Sequence, residues 1–185
     1  MKAEKWTITY LDKTPSLEVE AESFVKAVEK VKDKLSYASL KGVDLSYANL
    51  ALADLHHADL RGACLEYVDL SYANLAMADL SFADLSGADL SGTSFKGTDL
   101  HGAVLKGAVL SGTDLSGACL EDVNLTGADL GDAYESKKTR RWKMTNGDKI
   151  RQMGDEGLLK RLANALNLLE AIHNELDFVF EQNPE

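Results

Sequence analysis

Residues 51–70 read ALADLHHADLRGACLEYVDL, with leucine at positions 55, 60, 65 and 70. A period of five fits no regular element, because five residues advance by about 500° around an α-helix. In a strand, the odd spacing places successive leucines on opposite faces. All of these leucines reach one interior only if the chain turns a corner inside every repeat. The stretch therefore predicts a solenoid with a leucine-lined axis.

The same spacing extends over residues 38–132, which divide into 19 consecutive five-residue units without a gap. The central position is Leu in 18 units and Phe in one, Phe95. Two residues earlier the chain has Ala 13 times, Val three times and Thr three times. Each unit thus supplies one large and one small inward residue. The residue before the leucine, which is Asp in ten units and Asn in three, faces outward, where these side chains favour turns.

Stretches such as SFADLSGADLSG at 81–92 resemble the pentapeptide-repeat family, whose consensus is A(D/N)LXX. The resemblance covers 95 of the 185 residues. It implies an all-β, right-handed quadrilateral β-helix with four units per coil, so that the 19 units form nearly five coils. Val104 and Val109 depart from the pattern, and we expect the column of outward Asp side chains to be interrupted there.

The segments on either side of the repeat are predicted to be separate units. Residues 1–37 alternate in polarity and then show helical spacing, which predicts a small α/β cap made of a β-hairpin and a helix. Residues 133–154 form a basic linker with a short helix, and residues 155–185 form an amphipathic C-terminal α-helix. The apolar stripe of that helix either folds back on the coils or pairs with a second copy, and the family resemblance favours a homodimer. The stripe consists of Leu158, Leu162, Leu169, Ile172, Leu176 and Val179.

The chain carries 20 Lys and Arg residues against 30 Asp and Glu, a net charge of −10. This balance, and the lack of a long apolar run, disfavour binding to a membrane and predict a soluble cytoplasmic protein. Cys64 and Cys119 are expected to be free thiols, because the 55 residues between them correspond to about 13 Å along the axis. TNGDKIRQMGDEGLL at 145–159 loosely resembles small proteins of phages of Gram-positive bacteria, which implies a bacterial, phage-encoded source.

The repeat holds the whole net charge, because residues 38–132 contain four cations and 14 anions. Over a rod of roughly 23 Å this is one net negative charge per ~2.3 Å, against one per ~1.7 Å in duplex DNA. The family resemblance implies a DNA mimic, since members bind DNA gyrase and related proteins in this way. We therefore expect an inhibitor that occupies the DNA-binding groove of a bacterial topoisomerase or of a host-defence nuclease such as a CRISPR-type effector. The expected contact residues are Asp54, Asp59, Asp69, Asp79, Asp84, Asp89 and Asp99.

The alternative is a scaffold or protein–protein interaction module without DNA mimicry, because Asp before Leu is the structural consensus of such repeats. The position two residues after the leucine is large in seven of the first nine units and Gly in eight of the last ten. These side chains form either ladders that stabilise adjacent coils or an apolar patch that contacts flanking helices or a partner. The patch consists of Tyr47, Tyr67, Tyr72, Met77 and Phe82, with Leu52 and His57 in the same row.

The sequence predicts no catalytic, cofactor-binding or metal-binding residues, and therefore a protein that is not an enzyme. His56 and His57 lack a Cys or carboxylate at ligand spacing, and a column of Asp residues lacks the roughly six to eight converging oxygens that Ca²⁺ requires. The glycines belong to the repeat and to no phosphate-binding loop. Direct nucleic-acid binding through the basic segment KKTRRWK at 137–143 is disfavoured, because that segment also suits contact with the acidic rod.

Overall fold

The structure, a computed structural model, describes residues 2–134. It begins with an antiparallel hairpin in which β1 (Glu4–Ile8) pairs with β2 (Leu17–Ala21). Side chains alternate between the two faces of such a hairpin. The inward-facing Ile8 and Val19 are buried, and the charged residues between them are exposed. The hairpin thus presents one apolar face to the first coil.

One short helix follows the hairpin, α1 (Phe24–Lys30). It begins at Ser23, whose Oγ accepts a hydrogen bond from the backbone N–H three residues later at 3.2 Å, as an N-cap does. The helical spacing in the sequence extends to Leu35, but Val31 has a φ of −122° and ends the regular helix. A 3₁₀ turn at Lys32–Lys34 then carries the chain into the first coil.

The repeat forms coils of 20 residues. Isolated parallel bridges join each unit to the unit 20 residues later, from Ser39 and Asp59 at one end to Asp114 and Tyr134 at the other. Backbone bonds accompany the bridges, and the N–H of Leu40, for example, donates to the carbonyl of Asp59 at 2.8 Å. Twenty residues are four units, so the coil has four faces, and the last bridge extends the ladder slightly beyond residue 132.

The corner of each unit up to the one centred on Leu125 lies two residues after the leucine, where the backbone is left-handed. All nineteen such corners from Tyr37 to Gly127 have φ between 54° and 73°. The following N–H returns to the carbonyl of the leucine, as in the 3.1 Å bond from Ala48 to Leu45. This is a β-turn whose third residue has positive φ. The recurrence of this turn every five residues from Tyr37 to Gly127 is the physical origin of the period.

The interior of the coil is apolar and closely packed. The central residues from Leu40 to Leu110 have no exposed surface. Three threonines occupy the small inward position, Thr93, Thr98 and Thr113, and each Oγ1 donates to a carbonyl 23 residues earlier at 2.6–3.0 Å. Within residues 2–134, no buried side-chain nitrogen or oxygen lacks a hydrogen-bond partner. The threonines therefore enter the core without the penalty of an unpaired polar group.

The N-terminal segment closes the first coil by pairing with its backbone. Residues 9–11 pair with residues 37–39 through two backbone bonds of 2.8 Å. On the opposite side of the first coil the N–H of Asn49 donates to the carboxylate of Glu29 at 2.8 Å. The N–H of Asp54 donates to a carbonyl of the 3₁₀ turn at 2.9 Å. The cap thus covers an edge that would otherwise be open to strand pairing.

Several sequence predictions fall outside the described residues. They are the basic linker after Tyr134, the C-terminal helix at 155–185 and the dimer contact through its apolar stripe, and they remain predictions. Cys64 and Cys119 are free, exposed thiols. None of the helices within residues 2–134 has the length and apolar character that a membrane span requires.

Candidate interaction surface

The outward side chain before each leucine helps to build the turn. At all thirteen units with Asp or Asn in this position, its Oδ1 accepts a bond from the backbone N–H two residues later at 2.9–3.3 Å. At Asp69 and Asp84 the hydroxyl of a following serine donates to the same oxygen at 2.6 Å. These Asx turns fix the chain at the entry to each corner.

The Asx turn requires the oxygen and not the charge. Asn49, Asn74 and Asn124 make the same bond through an amide oxygen at 3.0–3.3 Å. Each of the ten Asp residues therefore adds a negative charge that the backbone geometry does not need. Carboxylates that face each other across a ladder also repel. The fold accounts for an Asx residue at this position, and the preference for Asp needs a second reason.

The negative charge is unevenly distributed around the rod. We number the four faces by their first units, which are centred on Leu40, Leu45, Leu50 and Leu55. Face 1 has five acidic and two basic residues. Face 2 has three acidic residues and one basic residue, and face 4 has two acidic residues and one basic residue. Face 3 has four acidic residues and no Lys or Arg, so its net charge of −4 is the largest of the four. These acidic residues are Asp69, Asp89, Asp129 and Asp132.

Arg61 neutralises part of face 1. Its Nη2 donates to Asp59 Oδ2 at 2.6 Å, its Nε donates to Asp59 Oδ1 at 2.8 Å, and Nε also lies 3.7 Å from Asp79 Oδ2. The hydrogen bond from Arg61 holds the pKa of the Asp59 carboxyl below its usual value, although partial burial opposes this. Asp59 is only 5% exposed. The carboxylate is thus already paired within the chain.

The seven Asp residues expected to contact a partner are distributed over all four faces. Asp89 is exposed, Asp59 is buried, and the others are half-buried. Faces 1 and 3 hold members on consecutive coils, whereas faces 2 and 4 hold one each. They are Asp59, Asp79 and Asp99 on face 1, Asp84 on face 2, Asp69 and Asp89 on face 3, and Asp54 on face 4.

Six apolar corner side chains protrude from the coils. They are 54–74% exposed. The φ angle at each of them lies between 54° and 63°, in the left-handed region. The left-handed conformation costs a residue with a Cβ about 1–2 kcal/mol, and Gly occupies most corners of the later coils without this strain. We call the coils with corners from Tyr37 to Phe82 the upper coils and those with corners from Gly87 to Gly127 the lower coils. The upper coils thus hold large exposed side chains in an unfavourable backbone conformation. We call this set the apolar corners, and it consists of Tyr47, Leu52, Tyr67, Tyr72, Met77 and Phe82.

Five of the six apolar corners, all except Leu52, lie against the corner of the next coil. The rings of Tyr47 and Tyr67 stack with centroids 5.2 Å apart and planes at 15°. The ring of Tyr67 in turn covers Gly87, where an added Cβ would lie 2.5 Å from it. Tyr72 covers Gly92 in the same way, at 2.7 Å. The glycine corners therefore begin at the positions that the apolar corners of the preceding coil cover. This relation becomes visible only when residues 20 apart are stacked.

Tyr37 belongs to the same row, although it precedes the 38–132 repeat. It follows the buried Leu35 by two residues, which is the spacing that identifies it as a corner, and its φ is 60°. Its ring stacks on His57 at 4.7 Å and 20°. The adjacent rings of His56 and His57 are 4.1 Å apart. Within residues 2–134, no group of three or more His, Cys, Asp or Glu side chains is arranged to hold a metal ion.

Solved structures of pentapeptide repeat proteins are similar to this chain. Rfr23, a pentapeptide repeat protein from the cyanobacterium Cyanothece, is 39% identical over 54% of this chain and 64% of its own, with a TM-score of 0.47. A pentapeptide repeat protein from the Arabidopsis thaliana thylakoid lumen is 33% identical over 54% of this chain and 69% of its own, with a TM-score of 0.52. This chain therefore spans less than two thirds of the length of Rfr23.

QnrB1, a plasmid-mediated fluoroquinolone resistance protein, is 24% identical over 53% of this chain and 57% of its own, with a TM-score of 0.22. Similarity at that level says nothing about a target. No curated protein matches the sequence. The structural relatives imply that the four-sided coil is right-handed. The family description for pentapeptide repeats, in eight copies, matches residues 34–71, 63–102 and 94–132, together 99 of 185 residues, and the chain belongs to the pentapeptide-repeat family.

Proposed function

We propose that this protein is a non-enzymatic inhibitor that occupies the DNA-binding groove of a nucleic-acid-processing protein. The observation that carries the proposal is the choice of Asp over Asn at ten positions whose turn an amide also forms. The additional charge brings repulsion within the columns, and the turns at Asn49, Asn74 and Asn124 form without it. Binding to cationic side chains of a partner explains why the chain has Asp at these positions.

The dimensions of the rod support the same function. The coils stack at about 4.8 Å per layer, and residues 38–132 carry ten more negative than positive charges. The resulting linear charge density is within a factor of about two of that of duplex DNA. A groove lined with Lys and Arg for DNA therefore meets a narrow acidic rod with a similar field, which favours rapid association. A bacterial topoisomerase and a phage-defence nuclease are the target classes that we propose.

The decisive experiment changes charge without changing the turns. A variant with Asp69, Asp84, Asp89 and Asp99 replaced by Asn keeps every Asx oxygen, so we expect it to fold with unchanged or slightly higher stability. Immobilised wild-type protein should capture DNA-binding proteins from a bacterial lysate, and duplex DNA should displace them. The Asn variant should capture at least about tenfold less, because each lost cation contact weakens binding.

A matched variant that adds a negative charge, instead of removing one, is also available. Asn124 is exposed and makes the same turn as the Asp residues, so Asn124→Asp adds one charge to the rod and should strengthen capture. The proposal is wrong if the four-Asn variant captures the same proteins as the wild type, or if duplex DNA leaves the captured proteins in place.

A second candidate function is a protein–protein interaction module without DNA mimicry. The apolar corners favour it, since large exposed side chains in a strained conformation are typical of contact surfaces. Salt separates the two functions, because charge-driven binding weakens steeply as ionic strength rises and apolar contact changes little. Replacing Tyr47, Met77 and Phe82 by Ser should abolish binding in the second case and leave a charge-driven complex largely intact.

A further inference from the structure

Asp side chains stand on consecutive coils at two places on the rod. Asp59 and Asp79 form such a pair on face 1, and Asp69 and Asp89 form one on face 3, each joined by a parallel bridge. The face 1 pair holds a guanidinium of the chain itself, since Arg61 lies 2.6 Å from the first carboxylate and 3.7 Å from the second. A stacked Asp pair on this coil is therefore able to bind an arginine side chain.

Face 3 has the same pair without a cation of its own. Ser71 takes the position that Arg61 has on face 1, and its hydroxyl donates to Asp69 Oδ1 at 2.6 Å. The units of face 3 within 38–132 contain no Lys or Arg. Lys32, from the cap, donates to Asn49 one coil above. Asp89 is exposed, so this pair presents its charge to solvent.

Two tyrosine rings frame the face 3 pair. Tyr67 precedes Asp69 by two residues and its ring covers Gly87, while Tyr72 follows Asp69 by three residues and covers Gly92. The two glycines flank Asp89 in the sequence at those same spacings, so the rings lie at the two corners beside this carboxylate. Tyr67 and Tyr72 are 57% and 68% exposed. A carboxylate pair between two exposed aromatic side chains is the result.

We infer that Asp69, Asp89, Tyr67 and Tyr72 form a docking site for an arginine side chain on a protein partner. A planar guanidinium accepts contact with an aromatic face while it donates two parallel bonds to a carboxylate, whereas the lysine ammonium is a point charge with no plane. The inference rests on the proposed function, because a groove built for DNA displays arginine side chains. It adds which face of the rod enters the groove.

The chain also supplies the reason why face 1 does not serve as well. The next carboxylate of that column, Asp99, which is bridged to Asp79, is flanked by Met77 over Gly97 and by Phe82 over Gly102. Its column already holds Arg61, and the ring of Phe82 contacts His101 at 5.2 Å. Face 1 is thus constructed in the same way as face 3, but Arg61 already lies on Asp59 and near Asp79, and Met77 and Phe82 take the places of the two tyrosines.

The test is an NMR titration of the full-length, ¹⁵N-labelled protein with a tetra-arginine peptide and, separately, with a tetra-lysine peptide. Tetra-arginine should shift the amide signals of residues 69–72 and 89–92 most, and it should bind at least about fivefold more tightly than tetra-lysine. The double variants D69N/D89N and Y67G/Y72G should each weaken tetra-arginine binding by about fivefold or more.

Two controls separate this site from general attraction to the rod. D44N/D114N removes the same amount of charge from faces 2 and 4, where Oδ1 of both residues makes the same turn, and should change the affinity less than about twofold. Y37G relieves the same corner strain away from face 3 and should also have little effect.

Equal binding of the two peptides, or an equal loss in D69N/D89N and D44N/D114N, would overturn the assigned site. Such a result would leave the proposed function intact, because displacement of the captured target by duplex DNA is measured separately. Conversely, a specific tetra-arginine site together with a target that DNA does not displace would contradict the proposed DNA mimicry and would still support the arginine site.

Discussion

The upper and lower coils share one backbone and differ at their corners. From Tyr37 to Phe82, eight of ten corners carry a large side chain, whereas from Gly87 to Gly127 eight of nine carry Gly. The corner φ stays between 54° and 73° in both regions. Stacking and turn formation therefore impose the left-handed conformation whether or not the residue suits it. The left-handed corner therefore forms with Gly and with large side chains alike.

The comparison also separates structural and surface roles. Gly is the relaxed solution at a left-handed corner, and the lower coils use it. The upper coils accept strain of about 1–2 kcal/mol per corner and recover part of it through ring stacking such as that of Tyr47 on Tyr67. Side chains that remain more than half exposed under this strain are candidates for binding, and the first two coils are the place to look for a contact surface.

The largest expected effect tests whether the two regions really share an interior. Leu70 in the upper coils and Leu110 in the lower coils are both fully buried. Leu70→Ala and Leu110→Ala should therefore each lower the free energy of unfolding by about 2–5 kcal/mol through the cavity they leave. Urea unfolding followed by circular dichroism measures both values. A loss below about 1 kcal/mol in one region only would show that the interiors differ.

The next effect concerns the relaxed corners. An added Cβ at Gly107 meets no atom within 4 Å, so Gly107→Ala tests left-handed strain alone. We expect a loss of about 1 kcal/mol in the free energy of unfolding. Gly107→Asn is the matched control and should lose less, because Asn tolerates this conformation. An Ala variant as stable as the wild type would mean that the coil imposes no strain at its corners.

The strained corners predict the reverse order of substitutions. Tyr67→Ala removes the stack on Tyr47 and keeps the strain, while Tyr67→Gly removes both. We expect the Gly variant to be more stable than the Ala variant by about 0.5–1 kcal/mol and to lie close to the wild type. Thermal and urea unfolding of the three proteins give this order directly. If Ala were the more stable replacement, the upper corners would not be strained, and the contrast between the regions would lose its meaning.

Much of the fold was predictable because one periodicity determines it. The family assignment is confirmed by the match to residues 34–132, and the inward leucines and the corner at every fifth residue follow from the same spacing. Bridges between residues 20 apart agree with the four units per coil that the resemblance implied. The three inward threonines were recognised as a pattern, but the carbonyls that they bond become visible only in the stacked coil.

The surface was less predictable because it depends on relations between coils. The sequence identified ten outward Asp residues, but it could not show that Arg61 pairs with Asp59 or that this carboxylate is buried. A pair such as Asp69 and Asp89 is 20 residues apart, and it becomes a site only when the rings of Tyr67 and Tyr72 are placed beside it. Side-chain direction at a left-handed corner is a three-dimensional property that no linear pattern records.

The smallest expected effect concerns Arg61 in the upper coils, whose place one coil lower is taken by Ser81. The bond from Arg61 lowers the pKa of Asp59, so its stabilising contribution is present above the unfolded value of about 3.9 and disappears as pH falls through the lower folded value. Arg61 is nearly half exposed, and we therefore expect Arg61→Gln to lose less than about 1 kcal/mol at pH 7. Urea unfolding from pH 7 to pH 3 should show this difference constant above about pH 5 and shrinking below about pH 4, whereas Lys96→Gln should show neither. A difference that grows on acidification would contradict the pairing, because protonation of Asp59 removes the partner that Arg61 binds.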